Sequence, residues 1–297
     1  MTMVRALIAA ACLLWIAAPF APQAAQARPR ACIGIGDKAA PQPSRLPGYR
    51  TFAYRQVTGR PLLLHVLPAK GLSPGERAPA ILLFFGGGWL YGSIRQFDRQ
   101  AHALADKGVT VVLVDYRVLC RDGTGPQAGM DDAAASMAFV RTHAGLLSID
   151  PQRIAAGGGS AGGQLALSTA FAADPAVHPD ALVLFNPVID LADGEFPAHF
   201  EAVSSVGLRS ASPVAHEAAA YPPMLIMHGA KDSLVPVGKV RAFCDAVSAY
   251  GRSCTLIAYP DAGHGFFNPG VAGGRWFAPT LAAAQEFLRR RFAGRPD

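Results

Sequence analysis

Short unbroken apolar runs alternate along this chain with longer stretches in which apolar residues recur every three or four positions. Runs such as Val111-Val112-Leu113-Val114 and Ile81-Leu82-Leu83-Phe84-Phe85 lack the in-out alternation of a half-exposed strand, so both faces of those strands must be covered. Strands are expected near Thr51 to Gln56, Leu62 to Leu67, Ala80 to Phe85, Thr110 to Asp115, Arg153 to Ala156, Ala181 to Phe185, Met224 to Met227 and Cys254 to Tyr259. Helices are expected near Phe97 to Lys107, Gln127 to Ala144, Gln164 to Ala173, Val237 to Tyr250 and Pro279 to Phe292. This order predicts an α/β fold, a mostly parallel central sheet covered by helices on both faces. Residues 28–48 hold several prolines and little periodicity, and read as an extended leader over the surface. Residues 49–297 read as a single domain, in which 188–221 form a small lid-like insertion without the long amphipathic helices of a large cap.

The first 27 residues follow a different pattern. Arg5 precedes an apolar run from Ala6 to Ala21, and Ala25-Gln26-Ala27 offers a small-residue cleavage site. That is the layout of a secretory signal peptide, with Cys12 inside its apolar core, and it predicts a secreted or periplasmic protein with no stable membrane span after cleavage. Cleavage there leaves Cys32, Cys120, Cys244 and Cys254. An even number in an oxidising compartment suggests disulfides, with buried free thiols as the alternative. Cys244 lies on a predicted helix and Cys254 opens the next strand, so a tight return would join them and leave Cys32 for Cys120. No cysteine spacing resembles a zinc site, and no metal or cofactor is expected.

Composition adds little to this. With 297 residues, 51% hydrophobic and 16% charged, the chain is long and apolar enough for one large core. The formal charge of +6 is scattered, and its clearest cluster, Arg289-Arg290-Arg291, falls where cations complement a helix C-terminus. No basic face interleaved with aromatics is present, which argues against nucleic-acid binding.

The chemistry concentrates at Gly157-Gly158-Gly159-Ser160-Ala161-Gly162-Gly163, a G-x-S-x-G placed between a predicted strand and a predicted helix. A sharp turn there would strain the serine backbone and project its hydroxyl at the carboxyl edge of the sheet, where ligands of such sheets collect. Serine is a poor nucleophile at neutral pH, so it needs a histidine to take its proton and a carboxylate to orient that histidine. His264, in Asp261-Ala262-Gly263-His264-Gly265-Phe266, follows the last strand; Asp232, in Ala230-Lys231-Asp232-Ser233, follows the Met224 to Met227 strand. Alone, each has a plainer reading as a turn serine, a solvent histidine or a capping aspartate. Together they stand after successive strands in the order Ser, Asp, His. Attack on a carbonyl also needs prearranged N–H donors, and Phe85-Gly86-Gly87-Gly88-Trp89 supplies bare backbone beside Ala161.

With these markers, and with Asp115-Tyr116-Arg117 and Asp150-Pro151-Gln152-Arg153-Ile154, the chain from Ala80 to Phe292 resembles the α/β-hydrolase superfamily. Within it, the likeness is to the hormone-sensitive-lipase-like and acetyl-esterase-like serine esterases. The resemblance implies Ser160 as nucleophile, His264 as general base then acid, Asp232 as its orienter, and the N–H groups of Gly87, Gly88 and Ala161 as an oxyanion hole. One position departs: the family commonly carries histidine where this chain has Phe85. Either apolar packing of Phe85 holds the glycine loop instead, or the loop is looser. Asp115 and Arg117 are expected to pair near that loop, Asp150 to form a turn, and His228 to support the Asp232 loop. The expectation is an exported serine carboxylester hydrolase acting on short acyl groups of acetyl or feruloyl type, on small-molecule or carbohydrate-linked esters, through an acyl-enzyme. An exopeptidase or arylamidase using the same residues, and a non-catalytic binding protein of the same fold, stand as alternatives.

Overall fold

Two antiparallel strands, β1 (Arg50–Val57) and β2 (Arg60–Leu67), form one flank of the eight-stranded sheet seen in the computed structural model, which describes residues 29–200 and 207–293. The predicted signal peptide therefore lies outside the described residues. β2 pairs antiparallel with β4 (Thr110–Val114), and from there every pairing is parallel, through β3 (Ala78–Phe84), β5 (Ile149–Gly159), β6 (Ala181–Phe185), β7 (Met224–Gly229) and β8 (Cys254–Tyr259). The order across the sheet is β1-β2-β4-β3-β5-β6-β7-β8, so β3 and β5 sit centrally and their elongated apolar runs are sealed from water. Continuous apolar strands and a parallel sheet covered by helices are one physical requirement, because both strand faces need cover.

The helices are α1 (Asp98–Ala105), α2 (Leu119–Asp122), α3 (Pro126–Thr142), α4 (Ala144–Leu147), α5 (Ala161–Ala170), α6 (Phe196–Phe200), α7 (Val237–Ala249) and α8 (Phe277–Phe292). α1 packs beside α8, while α3 packs on α5. α7 meets the α5 side through Phe243 against Tyr221 and Tyr221 against Phe171, edge to face in both cases. α3 starts with proline at its first turn, a position where the missing N–H has no helical acceptor to lose.

Three differences from the expectations bear on the site. β5 runs on through Gly157-Gly158-Gly159, and α5 begins at Ala161, so strand and helix are separated by Ser160 alone. Glycine is a poor strand former, yet these glycines are held by parallel pairing to Val183, Leu184 and Phe185. Asp115 does not pair with Arg117: it binds Arg60 and Arg121, while Arg117 makes a two-pronged contact with buried Asp132. From α3, Asp132 also accepts the Arg117 backbone N–H at 3.0 Å, so it holds both the main chain and the guanidinium of that residue. Finally, residues 29–48 are not simply draped over the surface. Short 3-10 turns at Arg30–Cys32 and Gly36–Ala39 fold the segment inward, and Cys32 is fully buried.

A disulfide from Cys32 to Cys120 ties this strap to α2, with Cα atoms 5.3 Å apart. A second joins Cys244 on α7 to Cys254 at the start of β8, at 5.5 Å. The second is the pairing expected from helix and strand placement, and the first joins the two cysteines that it leaves over.

Candidate active site

Ser160 occupies φ 54°, ψ −119°, a backbone region that a non-glycine residue adopts only under compulsion. The compulsion comes from close packing. A Cβ on Gly162 would stand 2.1 Å from the carbonyl oxygen of Phe84, and one on Gly159 would meet the Phe267 ring at 2.4 Å. Strand and helix can therefore cross at Ser160 only with glycine on both sides. Phe185 accepts a hydrogen bond from the Ser160 N–H at 2.9 Å, and the Ser160 carbonyl accepts from Gly163, Gln164 and Val188. The residue is thus fixed by β6 and α5 together.

His264 reaches it from the loop after β8. Its Nε2 lies 2.9 Å from Ser160 Oγ and its Nδ1 2.8 Å from Asp232 Oδ2. Asp232 caps the turn after β7, accepting from the N–H groups of Leu234 and Val235 through Oδ1. Its side chain is fully buried, and His228 Nε2 stands 3.3 Å from Oδ2. Burial alone would push the Asp232 carboxyl up; hydrogen bonds from His228, His264 and the Val235 N–H outweigh it and hold the group well below the usual carboxylate range. A carboxylate that stays charged beside Nδ1 keeps the proton on that nitrogen and leaves the Nε2 lone pair facing Ser160. His228 also contacts the Val235 carbonyl at 2.8 Å, so it braces the Asp232 turn from inside the sheet.

The glycine loop after β3 lies against the serine. A Cβ on Gly86 would be 3.3 Å from Ser160 Cβ, and Gly87 and Gly88 line the same cavity as Ser160. Gly87 has φ 134°, and a Cβ there would strike the Tyr91 carbonyl at 2.1 Å, so the sequence has no freedom at this position. Ala161 opens α5, where the first N–H groups have no acceptor within the helix. Phe85 is buried and stacks on Tyr116 with ring centroids 4.0 Å apart, while the Tyr116 hydroxyl donates to the Phe85 carbonyl at 2.6 Å. Gln96 Oε1 accepts from the Gly86 N–H at 2.7 Å. Trp89 Nε1–H donates to Gln164 Oε1 at 3.2 Å, and the Trp89 indole meets Phe196 and Phe200 edge to face. Aromatic stacking and two glutamines therefore hold the loop without a histidine at position 85.

The cavity over Ser160 has a volume of about 620 Å³. Gly87, Gly88, Leu90, Tyr91, Phe267 and His264 line its interior side, and exposed Asp37, Lys38 and Glu195 border it. Two chain segments complete the wall. The strap contributes Gln42, whose amide takes the Ile94 N–H at 3.0 Å and donates to the Gly92 carbonyl at 2.7 Å. The 188–221 insertion contributes α6, whose Phe196 and His199 face the cavity. Among the described residues, no cluster of histidine, cysteine or carboxylate side chains is arranged to hold a metal ion.

Gln96, Gln164, Asn186 and Gln42 were not singled out from sequence. Each acts through an amide whose partner is brought up by folding, from 10 residues away for Gln96 and from 47 or more for the others, and little in the local sequence marks such a residue. Asn186 alone carries a usable signal, because it directly follows β6 as Ser160 follows β5.

Comparison with known proteins agrees with this fold. A family described as alpha/beta hydrolase fold matches residues 81–268. The esterase LipQ of Mycobacterium tuberculosis is 32% identical over 236 residues, which cover 70% of this chain and 55% of that protein. The probable carboxylic ester hydrolase LipM of the same organism is 31% identical, covering 73% and 55%. The chain thus spans about half the length of these curated relatives. Among solved structures, Thermogutta terrifontis esterase 2 phosphoramylated by tabun superposes with a TM-score of 0.78 at 35% identity, covering 85% of this chain and 98% of that one. The propionate-bound form of that esterase gives 0.77 at 34% identity, covering 84% and 97%. An eight-stranded sheet of this order, a strained serine between strand and helix, and a match across its core show that this chain belongs to the alpha/beta hydrolase family.

Proposed function

We propose that the protein is a serine carboxylic ester hydrolase, with Ser160 as nucleophile, His264 as general base and acid, and Asp232 as the carboxylate that orients it. The observation that carries this reading is the unbroken line from Asp232 Oδ2 through His264 to Ser160 Oγ, with contacts of 2.8 and 2.9 Å. Ser160 Oγ attacks the ester carbonyl carbon while its proton passes to His264 Nε2. The oxyanion so formed is met by the N–H groups of Gly87, Gly88 and Ala161. Collapse expels the alcohol, which takes the proton from Nε2, and leaves Ser160 acylated. Water then adds with the same histidine as base, releasing the carboxylic acid and restoring the serine.

Short acyl groups fit this reading best. The related Thermogutta terrifontis esterase has been solved with propionate and with butyrate bound. Exposed Asp37, Lys38 and Glu195 around the cavity suit a polar alcohol portion, including an acetylated or feruloylated carbohydrate. Two disulfides among the described residues support work in an oxidising compartment, secreted or periplasmic. The test is a series of p-nitrophenyl acetate, butyrate and octanoate assayed with the wild type and Ser160→Ala. Hydrolysis that favours acetate or butyrate and vanishes in the folded variant supports the proposal. Turnover surviving in Ser160→Ala overturns the mechanism, and preference for octanoate overturns the acyl class.

A further inference from the structure

Asn186 makes a contact that the mechanism above leaves unused. It is fully buried, has φ 36°, and lines the cavity over Ser160. Its Nδ2 lies 3.3 Å from His264 Nε2, and its Oδ1 accepts the Gly265 N–H at 3.2 Å. The second bond sets the direction of the first, because turning the amide over would face two N–H groups against each other. Its own backbone N–H is tied to the Met227 carbonyl at 2.8 Å. One side chain, rooted at the β6 end, therefore grips both the imidazole and the backbone immediately after it.

We propose that Asn186 is a positioning residue that aims the His264 imidazole, chiefly during hydrolysis of the acyl-enzyme. The inference rests on the esterase reading. Asp232 holds the ring at Nδ1 only, and a ring fixed at one atom can swing about that atom. In the free enzyme the Ser160 hydroxyl fixes the opposite end by donating to Nε2. Once Ser160 carries an acyl group, its oxygen has no hydrogen to donate and that hold is gone. Among the described residues, the Asn186 N–H is then the hydrogen-bonding contact left at Nε2, at the moment the ring must accept a proton from water. At 3.3 Å the contact is long for a hydrogen bond, so it aims the ring without closing the lone pair to the incoming proton. Asparagine also suits the site's backbone, since it tolerates positive φ better than other side chains.

Asn186→Gly separates the amide from the backbone requirement, because glycine adopts φ 36° freely. Stopped-flow release of p-nitrophenol from p-nitrophenyl acetate gives the acylation rate, and decay of the acyl-enzyme followed by intact mass gives the deacylation rate. In Asn186→Gly, deacylation is expected to slow by about tenfold or more while acylation changes by less than about threefold, since misaimed catalytic groups lose rate in the step that depends on them. Equal slowing of both steps, or of neither, overturns the proposal. Asn186→Asp keeps size and backbone preference but presents an acceptor to Nε2. It is expected to slow both steps, and wild-type rates in that variant also overturn the proposal. A wild-type protein that neither hydrolyses esters nor forms an acyl-enzyme refutes the esterase reading itself, which is a different outcome from an active wild type that Asn186→Gly fails to alter.

Discussion

At Asp232, opposing forces act on one carboxylate. Burial disfavours its charge, while His228, His264 and two backbone N–H groups favour it, and the second set wins. Asp232→Asn keeps the shape, allows the wrong histidine tautomer, and is expected to lower kcat by on the order of 10³–10⁴ with KM little changed. Because the native pKa is depressed, the charged form contributes stability in full above the unfolded value of about 4, and that contribution fades as pH falls through the native value. Urea unfolding of wild type and Asp232→Asn at a series of acidic pH values should therefore show curves that converge on acidification. A gap that widens on acidification contradicts this ionisation. The glycine loop offers a second residue-scale check. Gln96→Ala removes the acceptor for the Gly86 N–H, and is expected to lower kcat by about tenfold, less than the loss of an oxyanion donor itself. A change confined to KM in steady-state assays would argue against a role for this contact in holding the loop.

Among the elements, the strap of residues 29–48 departs most from its sequence reading. Its prolines and missing periodicity predict an extended leader, and they are silent about Cys32 being drawn inward to Cys120. Cross-links over separations of 88 and 10 residues are worth roughly 4–5 and 2–3 kcal/mol by chain entropy. The functional consequences should differ more than the energies. Asp37, Lys38 and Gln42 line the cavity, so Cys32→Ser with Cys120→Ser is expected to raise KM for p-nitrophenyl esters severalfold. Cys244→Ser with Cys254→Ser, which frees α7 from β8, is expected to leave KM unchanged. Equal KM for both variants would mean the strap's attachment does not shape the site. Most of the strands were legible because they are short runs rich in apolar residues, and β6 and β8 begin and end as read. β5 was read short at both ends, because glycine propensity hides the stretch 157–159 that its neighbours impose and because Asp150 and Pro151 read as a turn where the strand already begins at Ile149.

Over the whole molecule, chain order made the site visible in advance: Ser160, Asp232 and His264 each follow a strand of a parallel sheet, and such strand ends converge at one edge. What stayed hidden was the amide network of Gln42, Gln96, Gln164 and Asn186, whose partners are set by packing across the fold. Charge pairing misled for the same reason, since it is Asp132 on α3 that folding sets against Arg117. One global property follows from a core histidine. His65 on β2 is fully buried and meets Thr51 Oγ1 at 3.1 Å. Burial, and after it the charge of Arg95, holds its imidazole down at about 4, against a weaker opposing contact with Pro43. The unfolded chain, with a histidine value of about 6.5, binds more protons in between, so stability should fall as pH drops from about 6.5 towards 4. In His65→Gln, urea midpoints across that range should fall less steeply, and an unchanged slope would contradict the assignment.

An assembled nucleophile at Ser160 should capture an organophosphate covalently. The related esterase of Thermogutta terrifontis has been solved phosphorylated by paraoxon, so the folded protein should be incubated with paraoxon and mapped by peptide mass spectrometry. Labelling confined to Ser160, slowed strongly in His264→Ala and abolished in Ser160→Ala, is the predicted result. A folded wild-type protein that stays unlabelled, or that labels equally well in His264→Ala, would contradict it.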